Sequence, residues 1–186
     1  MNQTESGTGA TQRESSQLLR VALFFLLVIL GAGLDLWTKH AVFAWRGLPA
    51  DQSPYWIIEN FFGIETAINH GAVFGVGQGY GLFFAVVSLA AMVGILVWLF
   101  VFRASRSLWL TIAMGLVTGG IIGNLYDRLG WHGLKAPFAG GVRDWILFRF
   151  GSYTYPNFNI ADSVLVAGAI MLAIHSFFAR PHSAPN

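Results

Sequence analysis

Asp144 and Asp162 stand where polar stretches of this sequence meet apolar runs. An ionised carboxylate is costly beside hydrocarbon, so acidic residues in such places are candidates for function. Two carboxyl groups a few ångström apart cannot both be ionised, and such a pair shares one proton. One carboxylate can then take a proton from water as that water attacks a peptide carbonyl, while its protonated partner polarises the carbonyl. The pair therefore indicates aspartic peptidase chemistry.

An ordinary structural role is open for each of the two aspartates. Asp is common at the start of a helix, where its carboxylate accepts hydrogen bonds from backbone N–H groups. Either residue would also serve as half of an ion pair. Their spacing alone does not decide between structure and chemistry.

The segment between the aspartates predicts a β-hairpin. Aromatic, β-prone residues at 145–150 and 153–155 flank the dipeptide Gly151-Ser152, a pattern typical of a two-residue turn. If residue 150 pairs with residue 153, counting back along the ladder places Asp144 opposite Asn159. Asp162 then follows one helical turn later, so we expect the two carboxylates to face each other.

The composition is that of a membrane protein, because 55% of the residues are hydrophobic and 11% are charged. A membrane-spanning helix needs about 20 apolar residues. The sequence therefore predicts an α-helical integral membrane protein with four transmembrane helices and a small extracytoplasmic β platform. The predicted spans are about 18–38, 82–102, 108–127 and 159–179.

Residues 18–180 are expected to form a single membrane-embedded domain, since four spans leave no room for a soluble one. Residues 1–17 are polar and predict a disordered tail. A cleaved signal peptide is disfavoured there by this polar lead and by the absence of an obvious cleavage site ahead of Asp35. Residues 181–186 make a short second tail.

Short antiparallel strands are predicted between the spans. Segment 39–81 contains prolines, many glycines and alternating stretches at 57–60 and 62–68. Together with the hairpin in segment 128–158, these strands would build the β platform on the membrane surface. Aromatic residues suit that depth of the bilayer.

The short connector between the second and third spans carries Arg103 and Arg106 and no acid. The positive-inside rule places it in the cytoplasm. Both termini then lie in the cytoplasm, and segments 39–81 and 128–158 lie outside.

Several other residues are candidates for supporting roles. Asp35 and Lys39 are four apart on one helix face and predict an ion pair at the far surface of the first span. A plain anchoring pair is the alternative. Asn69 beside Gly71 suggests a backbone close to a ligand, with the amide holding a peptide. A simple turn is the alternative there, and we assign no catalytic role to His70.

The third span predicts close helix packing and a polar end. Its glycines at 115, 119 and 123 form a small-xxx-small ladder that lets another helix approach. Beyond them, Asn124 is expected to orient a carboxylate or bind a substrate carbonyl. Asp127 and Arg128 are expected to pair and to order the loop that follows. Asn159 and Ser163 flank Asp162 and are expected to hydrogen-bond it.

Some functions are excluded by what the sequence lacks. A net charge of +2 without a basic stripe disfavours nucleic-acid binding. With no cysteine there is no thiolate nucleophile and no disulfide. The five histidines are scattered and no HExxH occurs, so we predict no metal and no cofactor. A Ser/Lys dyad would need a hydroxyl beside Lys39 or Lys135, and the neighbouring Thr38 points away on a helix.

Five motifs in order resemble those of the bacterial lipoprotein signal peptidase family, also called type II signal peptidases, which are aspartic proteases of the inner membrane. The resemblance covers most of the chain beyond residue 17. The motifs are DLWTK at 35–39, NHGAVFG at 69–75, GNLYDR at 123–128, RDW at 143–145 and NFNIADS at 157–163.

This resemblance implies a reaction and a set of site residues. The substrate would be a diacylglyceryl-modified prolipoprotein, cut N-terminal to its lipidated cysteine. Membrane lipids and globomycin-type peptide inhibitors would be further partners, and the protein would be a monomer. Asp144 and Asp162 would be catalytic. The substrate-binding or supporting residues would be Asp35, Lys39, Asn69, Gly71, Asn124, Arg128 and Asn159.

The stretch 129–141 departs from the family pattern because it is longer than in most relatives. Asp144 is chosen as catalytic over Asp127 because the RDW and hairpin context fits it better.

Two other membrane functions stay open at this point. A proton- or ion-coupled transporter could relay protons through Asp35, Asp144 and Asp162, but its usual inverted repeat is absent and its carboxylates would lie near mid-membrane. An intramembrane protease of the presenilin type has a Tyr-Asp motif, present here at 126–127, but its Gly-x-Gly-Asp motif is missing.

Overall fold

The computed structural model describes residues 4–71, 80–102, 105 and 107–178, with side chains from Ser15 onward. The helices are α1 (Thr4–Arg46), α2 (Gly81–Leu96, continued as a π-helix over Val97–Val101), α3 (Leu108–Arg128) and α4 (Ile160–Phe178). The strands are β1 (Tyr55–Ile58), β2 (Phe62–Asn69), β3 (Val142–Phe150) and β4 (Tyr153–Phe158).

Four helices of the described chain are long and apolar enough to cross a membrane. These helices and the single antiparallel sheet, ordered β1-β2-β3-β4, confirm the predicted fold class. The first strand lies two residues earlier than the alternation at 57–60 predicted. Asn60 has a positive φ of 56° and belongs to the turn before β2.

Helix α1 is longer at both ends than the predicted span 18–38. Its backbone is helical from Thr4, within the segment 1–17 for which the sequence predicted a disordered tail. Once a helix exists, each further residue adds a hydrogen bond without a new nucleation cost. At the other end the helix runs to Arg46, and Gly47, with φ +78°, provides the left-handed residue that stops it.

The predicted hairpin is present, with Phe150 paired with Tyr153. The straight count that placed Asp144 opposite Asn159 is wrong, because the register shifts between Ile146 and Phe148. Phe148 faces Tyr155, yet Ile146 faces Phe158, which leaves one extra residue in β4.

Pro156 lies within this bulge. Proline has no N–H to give to the ladder, which makes an irregularity there natural. Strand β4 ends at Phe158, and α4 begins two residues later at Ile160.

Helix α3 is the most buried span, packed between α1 and α4. The glycine ladder makes the predicted close contact with another helix, which is α1. A Cβ on Gly119 would lie 3.3 Å from the Cα of Gly31 and 3.2 Å from the carbonyl oxygen of Val28. Helix backbones therefore touch at this crossing, as small-residue ladders allow.

Gly120 makes the corresponding approach to α4, which the sequence did not predict. A Cβ on Gly120 would lie 2.5 Å from the carbonyl oxygen of Ala161 and 2.6 Å from Leu165 Cγ. The start of α4 is thereby held directly against α3.

Replacing Gly120 by alanine should destabilise the protein by about 1–3 kcal/mol, because a methyl group there meets backbone and forces the helices apart. Gly33→Ala is the matched control, since a Cβ on Gly33 meets nothing within 4 Å. Thermal unfolding in detergent measures both variants. Equal melting temperatures for the two would contradict the close contact between α3 and α4.

Candidate active site

Asp144 lies on β3 with 2% of its surface exposed. Its Oδ1 accepts a hydrogen bond of 2.6 Å from Asn159 Nδ2. The side chain of Asn69, on the neighbouring strand β2, hydrogen-bonds the same carboxyl group. Asp144 is therefore a buried acid surrounded by side-chain amides.

Asp162 lies in the first turn of α4 and is half-buried. Its backbone N–H donates to Asn159 Oδ1 at 2.9 Å, and its Oδ2 accepts from the backbone N–H of Asn159 at 3.2 Å. This reciprocal pair caps the helix. The positive end of the helix dipole also favours a negative charge at this position.

Asn159 brings the two aspartates together. Its side chain donates to one carboxylate and its backbone donates to the other. The structure thus places Asp144 and Asp162 on either side of Asn159, through a bulged strand and not through the regular ladder that the sequence predicted. Helix capping and proximity to a second acid coexist at Asp162.

The pKa of Asp144 is raised from 3.8 to about 8. Burial is the main cause, because it disfavours the charged form, and the nearby charge of Asp162 adds to it. Lys39 and the amides of Asn159 and Asn69 act in the opposite direction. At neutral pH, Asp144 therefore holds a proton.

Asn124, on α3, orients one of the carboxylates, which is one of the two roles predicted for it. Its Nδ2 donates to Asp162 Oδ1 at 2.8 Å. Its Oδ1 accepts from Lys39 Nζ at 2.9 Å and from Asn159 Nδ2 at 3.1 Å. Asn124 therefore connects Asp162 to the buried charge of Lys39.

Lys39 belongs to a buried cluster of charges. Lys39 Nζ lies 2.7 Å from Asp35 Oδ2 and 3.2 Å from Asp127 Oδ2, and Arg143 Nη2 lies 2.8 Å from Asp127 Oδ1. Asp35, Lys39 and Asp127 have no exposed side-chain surface. Asp35 also accepts a bond of 2.9 Å from the backbone N–H of Ala161 in α4. The cluster ties α1, α3, α4 and β3 together.

The pair of Asp35 and Lys39 forms as predicted, and both side chains are buried in the protein. One expectation about these charges is wrong. Within the described chain, Asp127 pairs with Lys39 and Arg143 and not with Arg128. Adjacent residues on a helix point in different directions, so Arg128 faces away from Asp127.

Arg128 faces the dyad and the turn before the undescribed segment 72–79. It interacts electrostatically with Asp162 and Asp144, its Nη2 lies 3.4 Å from the carbonyl oxygen of Gly71, and its guanidinium lies over the ring of Phe84. The Asn69 Oδ1 accepts from the Gly71 N–H at 2.9 Å. The turn expected as the alternative at Asn69 and Gly71 is therefore present, beside the dyad.

Sequence reasoning missed Arg143, which is buried and donates to Asp127 through its side chain and its backbone. Its place beside Asp144 in a strand was a signal for a separate role. Successive residues of a strand point to opposite faces of the sheet, so Arg143 and Asp144 have different neighbours. Ser163 bonds the carbonyl oxygen of Asn159 and not Asp162, contrary to expectation.

A cavity of about 550 Å³ lies against Asp162. Its polar end is lined by Asn69, Asn124, Arg128 and Asp162. Residues of α2, α3, α4 and the sheet make the remaining wall, which includes Ser88, Ile121, Phe148, Tyr155, Phe158, Leu165 and Val166. A mainly apolar cavity with a few converging polar groups is the usual form of a ligand site.

The family model for signal peptidase II matches residues 26–178. The chain belongs to the signal peptidase II family. A lipoprotein signal peptidase of Rhodopirellula baltica is 59% identical over 172 residues, which cover 90% of this chain and 77% of the relative. One of Geobacillus thermodenitrificans is 36% identical over 159 residues, 86% of this chain and 92% of the relative.

Two solved structures described as bacterial membrane enzymes share the fold of this chain. One has a TM-score of 0.73 at 24% identity and covers 89% of this chain and 96% of its own. The other has a TM-score of 0.71 at 26% identity, with 86% and 96% covered. Family membership confirms the predicted resemblance and makes the chain a multi-pass membrane peptidase.

The raised pKa of Asp144 predicts a pH-dependent stability. A proton bound more tightly in the folded state gives stability that is present below pH 4 and is lost as pH rises towards about 8. Asp144→Asn has no such proton to lose, so its free energy of unfolding should rise relative to the parent between these pH values, by up to about 1.4 kcal/mol per pH unit. The melting temperature in detergent should rise with it.

The control is Glu59→Gln, which neutralises an exposed carboxylate in the turn between β1 and β2. Its melting temperature should track the parent at every pH. A constant difference between Asp144→Asn and the parent across this range would contradict the bound proton.

Proposed function

We propose that this protein is an aspartic endopeptidase of the inner membrane. It removes the signal peptide from diacylglyceryl-modified prolipoproteins and cuts N-terminal to the lipidated cysteine. The names of its relatives support the substrate class. The observation that carries the mechanism is the pair of aspartates joined by Asn159, one of them with a pKa of about 8.

The two acids have different environments and therefore different roles. Asp162 accepts two N–H donors and lies at the positive end of a helix, so it is the ionised member. Asp144 is buried and carries the proton. A protonated acid beside a carboxylate that accepts N–H donors is suited to acid–base catalysis.

The reaction needs only water and this shared proton. Asp162 takes a proton from water as the hydroxide adds to the scissile carbonyl carbon, and Asp144 gives its proton to the carbonyl oxygen. Asp162 then gives its proton to the leaving nitrogen as the C–N bond breaks. The carbonyl re-forms as its hydroxyl returns a proton to Asp144, so the dyad ends as it began.

Asn69 controls access to Asp144 in this proposal. It lines the cavity and also hydrogen-bonds the buried carboxyl group. The scissile carbonyl takes the place of this amide at Asp144, and the freed amide then bonds the peptide. Arg128, which lines the same end of the cavity, binds a substrate carbonyl.

The substrate enters the cavity from the bilayer. Its wall is formed by three membrane-spanning helices, α2, α3 and α4, and by aromatic residues of the sheet. An apolar wall within the lipid suits a substrate that carries acyl chains and a hydrophobic signal peptide. Both termini are cytoplasmic, following the arginines of the short loop, and the dyad lies near the opposite surface.

Cleavage by purified protein in detergent tests this function. A lipidated precursor should be cut and its unlipidated form should not, because only the former fills the apolar cavity. Asp144→Asn and Asp162→Asn should each fold and lower kcat by about 10³-fold or more, since each removes one proton-transferring group. Glu59→Gln should retain full activity.

Retained turnover in either folded Asn variant would remove the dyad from the mechanism. A proton- or ion-coupled transporter, the alternative function, would cut neither precursor.

A further inference from the structure

Two amides at the dyad have orientations that are fixed by groups able only to donate. An ammonium group has no acceptor, so the atom 2.9 Å from Lys39 Nζ must be the oxygen of Asn124. The nitrogen of that amide must then face Asp162 Oδ1, at 2.8 Å. The orientation of Asn124 therefore follows from the chemistry of Lys39.

The same reasoning applies to Asn159. A backbone N–H only donates, so the atom 2.9 Å from the Asp162 nitrogen is the oxygen of the Asn159 side chain. Its nitrogen then faces Asp144 Oδ1 at 2.6 Å and Asn124 Oδ1 at 3.1 Å. The oxygen of Asn124 thus has two donors that hold it in one orientation.

The orientation of Asn124 matters for the charge of Asp162. With its nitrogen towards Asp162, the amide stabilises an ionised carboxylate. Turned over, it would present an oxygen, which repels a carboxylate and favours a protonated acid. A turned amide would therefore move the proton of the dyad to Asp162, the group that must accept one from water.

We propose that Lys39 is a positioning residue that acts through Asn124 to keep Asp162 ionised and the proton of the dyad on Asp144. This role rests on the proposed aspartic mechanism. Lys39 touches neither acid of the dyad through a hydrogen bond in the described contacts, and its side chain is fully buried. Its ammonium reaches Asn124 from α1, the helix that also contacts the start of α4 through Asp35 and Ala161.

Other charges act on the same groups and must be held constant in a test. Asp35 and Asp127 bind the Lys39 ammonium, and Arg128 interacts with both acids of the dyad. Among the described residues, Arg143 on β3 and His132 in the loop between α3 and β3 also act on the cluster.

A double-mutant cycle with Lys39→Met and Asn124→Leu tests the role. Each single change should lower kcat about 100-fold, as loss of one preorganised donor does, with KM changed by less than about threefold. The double variant should be no slower than either single one, because both remove the same interaction. The acid limb of the kcat/KM profile should move to higher pH by the same amount in all three.

Independent effects, with the double variant about 10⁴-fold slower, would overturn the proposal. So would an unmoved acid limb, the result of a purely structural lysine that alters only the amount of folded enzyme. If Lys39→Met does not fold, the double variant Asp35→Asn/Lys39→Met replaces it in the cycle. This variant removes both charges of one ion pair, so no buried charge is left without its partner.

Lys135→Met is the matched control, since this lysine is exposed in the loop after α3. It should leave kcat and the pH profile unchanged. Asp144→Asn is assayed alongside, and its retained turnover would reject the dyad itself. A slow Asp144→Asn together with additive effects of Lys39 and Asn124 would reject only the positioning role.

Discussion

Charges that are buried together must nearly cancel, because an unpaired charge away from water costs several kcal/mol. At this site four acids meet three bases, so one bound proton completes the balance. The acids are Asp35, Asp127, Asp144 and Asp162, and the bases are Lys39, Arg128 and Arg143. The proton settles on Asp144, which is the most deeply buried acid without a cation in contact.

Glycines let the helices pack closely enough for this charge cluster to form. Gly119 lets α1 touch α3, and Gly123 leaves room for the Asp35 carboxylate, since a Cβ at Gly123 would lie 2.5 Å from its Oδ2. Gly120 holds the start of α4 against α3, where Ala161 donates to Asp35. Glycines and charges therefore act as one unit that fixes the position of the dyad.

Much of the fold and part of the site were predictable from sequence. Spans follow from runs of apolar residues, and the hairpin turn follows from a Gly-Ser dipeptide between aromatic segments. Those signals are local, because they depend on the composition of a few neighbouring residues. The glycine ladder predicted a close helix contact for the same reason.

The sequence did not predict which residues pair with each other across the fold. Asp127 binds Arg143, which is remote in sequence, because a neighbour on the same helix points elsewhere. The bulge at Pro156 changes which residues of β3 and β4 face each other, and a count along a regular ladder leaves it out. Gly120 was missed because its partner helix is defined only once the spans assemble.

Infrared spectroscopy of the purified protein would test most directly whether this site holds one proton. The account predicts a carboxylic-acid C=O band at neutral pH that fades as pH rises through about 8 and is absent from Asp144→Asn. A spectrum without that band at neutral pH, or a band that persists in Asp144→Asn, would contradict it.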